Sequence, residues 1–396
     1  MPPIEFLIFG ATLVGVALFH RHALAIAATG LAAVLAYQGL FGSFPAGPGA
    51  AGLVAHLSHE WVVLLNLFLL LVGFALLATH FEGSGLPKAL PALLPDDWTG
   101  ALALLAIVWL LSGFLDNIAA ALIGGAMANA LFGGRVRVGY LAAIVAASNA
   151  GGAGSVLGDT TTTMMWISGV PPIQVLHAYV AAAVAFCVFA VPAARAQQRF
   201  APILKDSPRK LHVDWPRVAI VAVILASAVA VNLAVNALLP SRAGDFPFLG
   251  ATVAIVIALT SAWRRPDWSV LPGAVLGSLF LLCLVATASL MPVEALPEPS
   301  WKTALALGFV SAFFDNIPLT ALALEQGGYD WGVLAYAVGF GGSMIWFGSS
   351  AGVAISNMFP EARSTGRWLR EGWLVAVAYV AGFAGLMLVW GWNPDP

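Results

Sequence analysis

Residues Asn149–Trp166 read NAGGAGSVLGDTTTTMMW, and they place one carboxylate, Asp159, and four consecutive threonine hydroxyls inside very apolar sequence. A glycine in a helix interior costs about 0.8–1.0 kcal/mol relative to alanine. The glycine-rich part of the stretch therefore predicts that a helix stops here and resumes at the threonines. Unwound backbone inside a bilayer is tolerated only where it lines a cavity or is buried in protein. The stretch predicts an interrupted membrane helix with a polar centre.

The composition around this stretch is that of an integral membrane protein. Of the 396 residues, 60% are hydrophobic and 9% are charged, against about 25% charged residues in soluble domains. The mean hydropathy is +0.91. Most apolar stretches have 17 to 24 residues, the length that a helix needs to cross a bilayer, without the strict alternation of a membrane barrel. We predict an all-α polytopic membrane protein, surrounded by lipid, with no nucleic-acid partner.

The loop charges predict the topology. The connection from Arg195 to Arg217 holds six Lys or Arg residues, so the positive-inside rule makes the linker 195–216 cytoplasmic. Two regions, 98–132 and 302–325, each carry an Asp-Asn pair near the middle. If both are re-entrant hairpins, the basic residues near the other span ends fall on the cytoplasmic side. Two full crossings in each region have the same parity, and that alternative stays open.

The same count predicts an inverted repeat of five spans plus one re-entrant hairpin per half. The first repeat covers 1–194, with the hairpin 98–132 and an interrupted helix 139–168. The second covers 217–396, with the hairpin 302–325 and an interrupted helix 331–358. SGFLDNIAAAL at 112–122 resembles SAFFDNIPLTA at 311–321, at an offset of 199 residues. Downstream glycines match at an offset of 190, which aligns Asp159 with Ser349 and Thr160 with Ser350.

The polar residues of these motifs suit a small hard cation. A charge at the centre of a membrane helix costs at least about 2.5–3.5 kcal/mol, so Asp116, Asp159 and Asp315 need partners. Unwound carbonyls, up to four threonine hydroxyls and the Asn149 amide would supply oxygen ligands for Na⁺ or Li⁺. Burial favours the protonated carboxyl, whereas a bound cation favours the carboxylate. A proton and a cation can therefore compete for one group, which is sufficient for antiport.

Other interpretations use the same residues. Asp159 before the threonines could be only a helix N-cap, and the Asp-Asn pairs could be turns at the surface. A cluster of His56, His59 and Glu60 is either a ligand or pH-sensing group or part of an interfacial helix. An intramembrane aspartyl protease would carry Gly-x-Gly-Asp, whereas the chain reads Val156-Leu157-Gly158-Asp159. We therefore predict no enzyme and no cofactor.

The four motifs SGFLDNIAAAL, SNAGGAGSVLGDTTTTMMWI, SAFFDNIPLTA and GFGGSMIWFGSSAGVA occur in an order and spacing that resemble the ion transporter superfamily of arsenite permeases and citrate carriers. Within it, the chain is most similar to NhaD-type sodium/proton antiporters. The resemblance implies a scaffold of two hairpins and two interrupted helices. It implies that the ions are surrounded by nine residues: Asp116, Asn117, Asn149, Asp159, Thr160, Asp315, Asn316, Ser343 and Ser349.

We therefore expect a secondary transporter that exchanges cytoplasmic sodium or lithium for external protons by alternating access. The alternative is a sodium-coupled symporter of an organic or inorganic anion, of the citrate, dicarboxylate or arsenite type. No Lys or Arg lies inside either motif, which argues against an anion bound without sodium. The expected location is the plasma (inner) membrane, and a homodimer is an alternative to a monomer.

Overall fold

The computed structural model describes residues 3–19, 22–42, 44–203, 212–239, 242 and 244–394. The predicted cytoplasmic linker 195–216 lies outside the described residues over 204–211. Within the described ranges the regular secondary structure is helical. The β-type pairing among these residues is an isolated bridge between Phe44 and Gly47, and no strand is formed there.

The α-helices follow one another with short connections. Their bounds are α1 Ile4–Leu18, α2 Ala23–Phe41, α3 Gly49–Gly83, α4 Leu86–Ala89, α5 Trp98–Leu111, α6 Asn117–Leu131, α7 Val138–Gly152, α8 Thr160–Ile167, α9 Pro172–Leu176, α10 Ala178–Phe200, α11 Trp215–Leu238, α12 Phe248–Ser261, α13 Leu271–Ala288, α14 Trp301–Ser311, α15 Asn316–Gln326, α16 Trp331–Gly341, α17 Ser350–Met358 and α18 Thr365–Val389.

Six described segments are long and apolar enough to cross a membrane: Ala23–Phe41, Gly49–Gly83, Pro172–Phe200, Trp215–Val235, Trp268–Ala288 and Thr365–Val389. The all-α membrane class is thereby confirmed. Two of these helices begin earlier than the apolar runs in the sequence. α3 has 35 residues and starts at Gly49, and α18 starts at Thr365, directly after the N-cap Ser364. A helix can begin before its apolar run, because hydropathy indicates the membrane core and not the helix end.

Each predicted hairpin region contains two short helices. α5 and α6 have 14 and 15 residues, and α14 and α15 have 11 each. At 1.5 Å per residue these helices reach about 17–22 Å, short of the roughly 30 Å hydrocarbon core. Single helices of this length do not cross the core alone. Whether each region returns to the side that it entered stays a prediction.

Both glycine-rich motifs lie where a helix stops. α7 ends at Gly152 and the next helix, α8, begins at Thr160. α16 ends at Gly341, a 3₁₀ turn follows at Gly342–Met344, and α17 begins at Ser350. α7 and α16 are almost completely buried along their length, and the glycines Gly154, Gly158 and Gly348 within the breaks are buried as well.

The chain forms two compact units, and neither follows the predicted halves 1–194 and 217–396. The first consists of Met1–Leu77, Ile220–Glu298 and Ile317–Gly327, and the second of Ala78–Ala219, Pro299–Asn316 and Gly328–Pro396. All nine candidate ion-binding residues belong to the second unit. The boundaries of the two repeats stay a prediction.

In the first unit, polar side chains hold apolar helices together. The Gln38 amide of α2 donates to the Leu290 carbonyl oxygen at 2.6 Å. The Asn66 side-chain oxygen of α3 accepts from the backbone N–H of Gly250, at 2.6 Å. Gly250 is in the first turn of α12, so Asn66 satisfies one N–H that has no partner within that helix.

Glycines in the second unit allow a close approach of helices. A Cβ at Gly151 would overlap the Trp109 carbonyl oxygen of α5, and a Cβ at Gly341 would overlap the Gly308 carbonyl oxygen of α14. Both obstacles are backbone atoms, which cannot move aside as the end of a flexible side chain can. The packing of α5 on α7 and of α14 on α16 therefore requires a residue without a side chain.

We predict that Gly151→Ala destabilises the protein by about 1–3 kcal/mol, the usual cost of overpacking. The matched substitution is Gly277→Ala in α13, where no atom outside the surrounding turns of α13 itself lies within 4 Å of the added methyl group. Gly277→Ala should be neutral or stabilising, since alanine is the better helix former. Apparent unfolding temperatures in detergent compare the two variants. Equal temperatures would contradict the close approach.

Candidate functional site

Asp159 is a buried carboxylate surrounded by neutral donors. It is 2% exposed. Its Oδ1 accepts from the Thr161 backbone N–H at 3.3 Å, which makes it the N-cap of α8, and its Oδ2 accepts from the Thr161 hydroxyl at 2.9 Å. The side-chain amides of Asn117 and Asn316 add longer contacts of 3.4 and 3.5 Å to Oδ1 and Oδ2. None of these four donors carries a charge.

Asn149, on the last turns of α7, connects the two interrupted regions. Its Nδ2 donates to the hydroxyl oxygens of Ser343 and Ser349 at 2.9 and 3.2 Å. Its Oδ1 accepts from Asn117 at 3.1 Å. Ser349 also caps α17 by accepting from the Gly352 N–H. Six of the nine candidate residues thus form one hydrogen-bonded group: Asn117, Asn149, Asp159, Asn316, Ser343 and Ser349.

The other two carboxylates stand one residue before the asparagines of this group. Asp116 Oδ2 accepts from the Ile118 N–H at 3.1 Å as the N-cap of α6. Asp315 Oδ2 accepts from the Ser350 hydroxyl at 2.8 Å. Both aspartates are half-buried, whereas Asn117 and Asn316 are only 6% and 4% exposed. The asparagine amides therefore face the protein interior, which argues against turns at the surface.

The four threonines have different roles. The Thr162 hydroxyl donates to the carbonyl oxygens of Ser155 and Asp159, at 2.5 and 2.8 Å. The Thr163 hydroxyl donates to those of Val156 and Asp159, at 2.8 and 2.9 Å. These two side chains satisfy carbonyl groups at the break of the helix. A hydroxyl oxygen that donates its proton keeps its lone pairs, so the supply of up to four ligand hydroxyls stays a prediction. Thr160 is half-buried at the start of α8. The carbonyl oxygens of Ser155, Val156 and Asp159 already accept a hydrogen bond from a threonine hydroxyl.

Two residues of the site lie outside the nine that the resemblance implies, although Thr161 is one of the four threonines expected to supply hydroxyl ligands. Thr161 contacts the carboxylate of Asp159 directly, and its position two residues after an N-cap was the available signal. Ser350 contacts Asp315, and its alignment with Thr160 at the offset of 190 residues pointed to it. By contrast, His56 of the His56, His59 and Glu60 cluster lies 3.1 Å from the Ser289 hydroxyl inside the first unit.

A glycine, Gly339 of α16, borders one side of the Asp159 carboxylate. A Cβ on Gly339 of α16 would lie 3.1 Å from Asp159 Oδ2. At the offset of 190 residues Gly339 is aligned with Asn149, so the second half has no side chain where the first half has an amide. Within the described ranges no group of three His, Cys, Asp or Glu residues could hold a metal ion. The oxygen atoms of the centre come mainly from amides, hydroxyls and one carboxylate.

The fold and this centre define a polytopic helical membrane protein with a buried, oxygen-rich polar group at two helix ends. No protein-family model matches the chain. It is 29% identical to sodium/proton antiporter 1 of Arabidopsis thaliana over 287 residues, which cover 64% of this chain and 49% of that protein. It is 26% identical to sodium/proton antiporter 2 of the same plant over 283 residues, 63% and 67% of the two chains.

The chain thus spans about half the length of the first of these relatives. Their names support a sodium/proton antiporter kind of protein, and with the helical membrane fold they point to a transporter rather than an enzyme.

We predict that Asn149→Ala costs about 2–4 kcal/mol of stability, since it removes three buried hydrogen bonds worth about 0.5–1.5 kcal/mol each. Its neighbour Ser148 is the control, because the Ser148 hydroxyl bonds only to the Val145 carbonyl of the same helix. Ser148→Ala should cost less than about 1 kcal/mol. Thermal unfolding of both variants in detergent is the measurement, and similar losses would argue against the connecting role of Asn149.

Proposed function

We propose that this protein exchanges cytoplasmic sodium or lithium for external protons by alternating access, at the centre built around Asp159. The observation that carries the proposal is a buried carboxylate at a helix break whose four donors are neutral. Such a carboxylate has no fixed positive partner, so its charge must be balanced by a mobile cation or removed by a proton. The sodium/proton antiporters among its relatives support the same exchange.

The two asparagines Asn117 and Asn316 can contact Asp159 both with and without a bound cation. Asn117 and Asn316 direct their amide nitrogens at the carboxylate of Asp159. A half-turn of either amide would direct its oxygen to the same point, because one side chain carries both a donor and an acceptor. In the proposed cation-bound form these oxygens join Asp159, and the hydroxyls of Thr160, Ser343 and Ser349 and the carboxylates of Asp116 and Asp315 complete the supply of ligands.

Competition then couples the two fluxes. A proton on Asp159 removes the negative charge that attracts the cation, and a bound cation disfavours protonation. Only one of the two is carried by this carboxylate at a time. If the centre opens to each side in turn, the gradient of one ion drives the other, and the protein needs no cofactor for that work.

We further propose that the opening to alternate sides uses an inverted repeat of five spans and one re-entrant hairpin per half. Equivalent contacts support the repeat. Gly151 approaches the Trp109 carbonyl oxygen, and Gly341, its match at the offset of 190, approaches that of Gly308, the match of Trp109 at the offset of 199. Interrupted helices at a repeat interface are a common way to build a transport site. Membership of the NhaD type, a cytoplasmic linker 195–216 and the plasma membrane belong to the same proposal.

The test is proton movement in sealed proteoliposomes that contain a pH dye. Under an imposed proton gradient, external NaCl or LiCl should produce proton flux, and Asp159→Asn should abolish it. The matched control is Asp330→Asn, since Asp330 is also a buried N-cap, bonded to the Val333 N–H at 3.0 Å. Asparagine caps a helix equally well, so this variant should keep the flux.

Two results would contradict antiport at Asp159. One is full flux in Asp159→Asn. The other is no proton flux with any cation in vesicles that accumulate citrate or another anion when given sodium, which would favour the symporter of the sequence analysis instead.

A second prediction concerns the space beside the carboxylate. Gly339→Ala places a methyl group 3.1 Å from Asp159 Oδ2, while the other atoms that it meets are at ordinary contact distance. The methyl group should weaken the binding of Na⁺ by about tenfold, within the range of overpacking costs, and that of the smaller Li⁺ by less. The ratio of the two KM values in the flux assay measures this. An unchanged ratio would place the cation away from Gly339.

A further inference from the structure

A polar cavity lies in the second compact unit, and none of the residues of the Asp159 centre lines it. It has a volume of about 380 Å³ and lies between the start of α7, the C-terminal half of α10 and the first turns of α18. Pro192 of α10 lines it. As a proline inside a helix, it has no N–H to donate to the carbonyl of residue i−4, here Val188, so α10 lacks one backbone hydrogen bond beside the cavity.

The wall of the cavity has a surplus of positive charge. The Glu371 carboxylate already has two cationic partners, with Arg137 Nε at 3.4 Å and Arg367 Nε at 3.6 Å. It also accepts from the Gly139 N–H in the first turn of α7, at 3.4 Å. Arg370 is the second arginine that lines the cavity, and within the described residues it has neither an ion pair nor a hydrogen bond. Its guanidinium is thus available to an anion.

The rest of the lining suits a ligand with an apolar part. The rings of Tyr140, Phe189 and Trp373 border the cavity. Trp373 is 57% exposed, and Val377 and Val380 continue the same exposed face along α18. Tryptophan is enriched at membrane–water interfaces. An apolar chain that begins at the cavity could therefore lie along this face.

We propose that this cavity binds the phosphate group of an anionic lipid, with Arg370 as the principal contact and the acyl chain along the Trp373 face of α18. Arginine binds phosphate through two parallel hydrogen bonds, and basic pockets between membrane helices are suited to anionic headgroups. Free inorganic phosphate shares the headgroup chemistry but cannot use the apolar face. The proposal is independent of which ion the Asp159 centre carries.

The experiment is native mass spectrometry of the full chain in detergent, titrated with phosphatidylglycerol, phosphatidylcholine or inorganic phosphate. One phosphatidylglycerol should bind more tightly than either of the other two. Arg370→Gln should weaken that binding about fivefold, the effect expected of one basic residue beside an anionic lipid. Arg199→Gln is the matched control, since Arg199 is an exposed arginine near the end of α10 that does not line the cavity.

A second variant, Ala193→Trp, fills the cavity without a change of charge. It should abolish the specific adduct, and it keeps the proposal testable if Arg370→Gln does not fold. Three results would overturn the proposal: equal weakening by Arg370→Gln and Arg199→Gln, equal binding of phosphatidylcholine, or inorganic phosphate that binds as tightly as phosphatidylglycerol.

Discussion

The structure of the second unit depends on how the backbone N–H and C=O groups of a broken helix find hydrogen-bond partners inside a membrane. The backbone between Gly152 and Thr160 cannot rely on water for its hydrogen bonds, so it needs partners from the protein. The hydroxyls of Thr162 and Thr163 supply two of them, and the Asp159 side chain caps the helix that resumes. The first role of the threonine run is thus to stabilise the break, and the Asp159 carboxylate lies beside it.

The neutral side chains around Asp159 matter because they do not neutralise the charge of its carboxylate. A lysine or arginine at contact distance would satisfy the carboxylate permanently, with a strong pair in a medium of low dielectric. Amides and hydroxyls stabilise the charge less, through weaker hydrogen bonds. A site with such donors leaves the protonated and cation-bound forms closer in free energy, which is what exchange between two ions requires.

Much of this centre could be predicted from the sequence, because glycines and aspartates in apolar helices have few structural uses. The breaks near Gly152 and Gly341 and the buried Asn149 follow from such residues. The division of labour among the threonines could not be predicted, since it depends on which carbonyl each hydroxyl reaches. The start of α3 at Gly49 was also missed, because hydropathy marks the membrane core and not the end of a helix.

The differences between the two halves carry as much information as their similarity. At aligned positions the first break has Asp159 and Asn149, and the second has Ser349 and Gly339. Both Asp159 and Ser349 cap the helix that follows, so capping alone does not demand a carboxylate. Because the serine performs the structural task at the second break, the negative charge of Asp159 at the first break requires another reason, and the cation binding that we propose provides one.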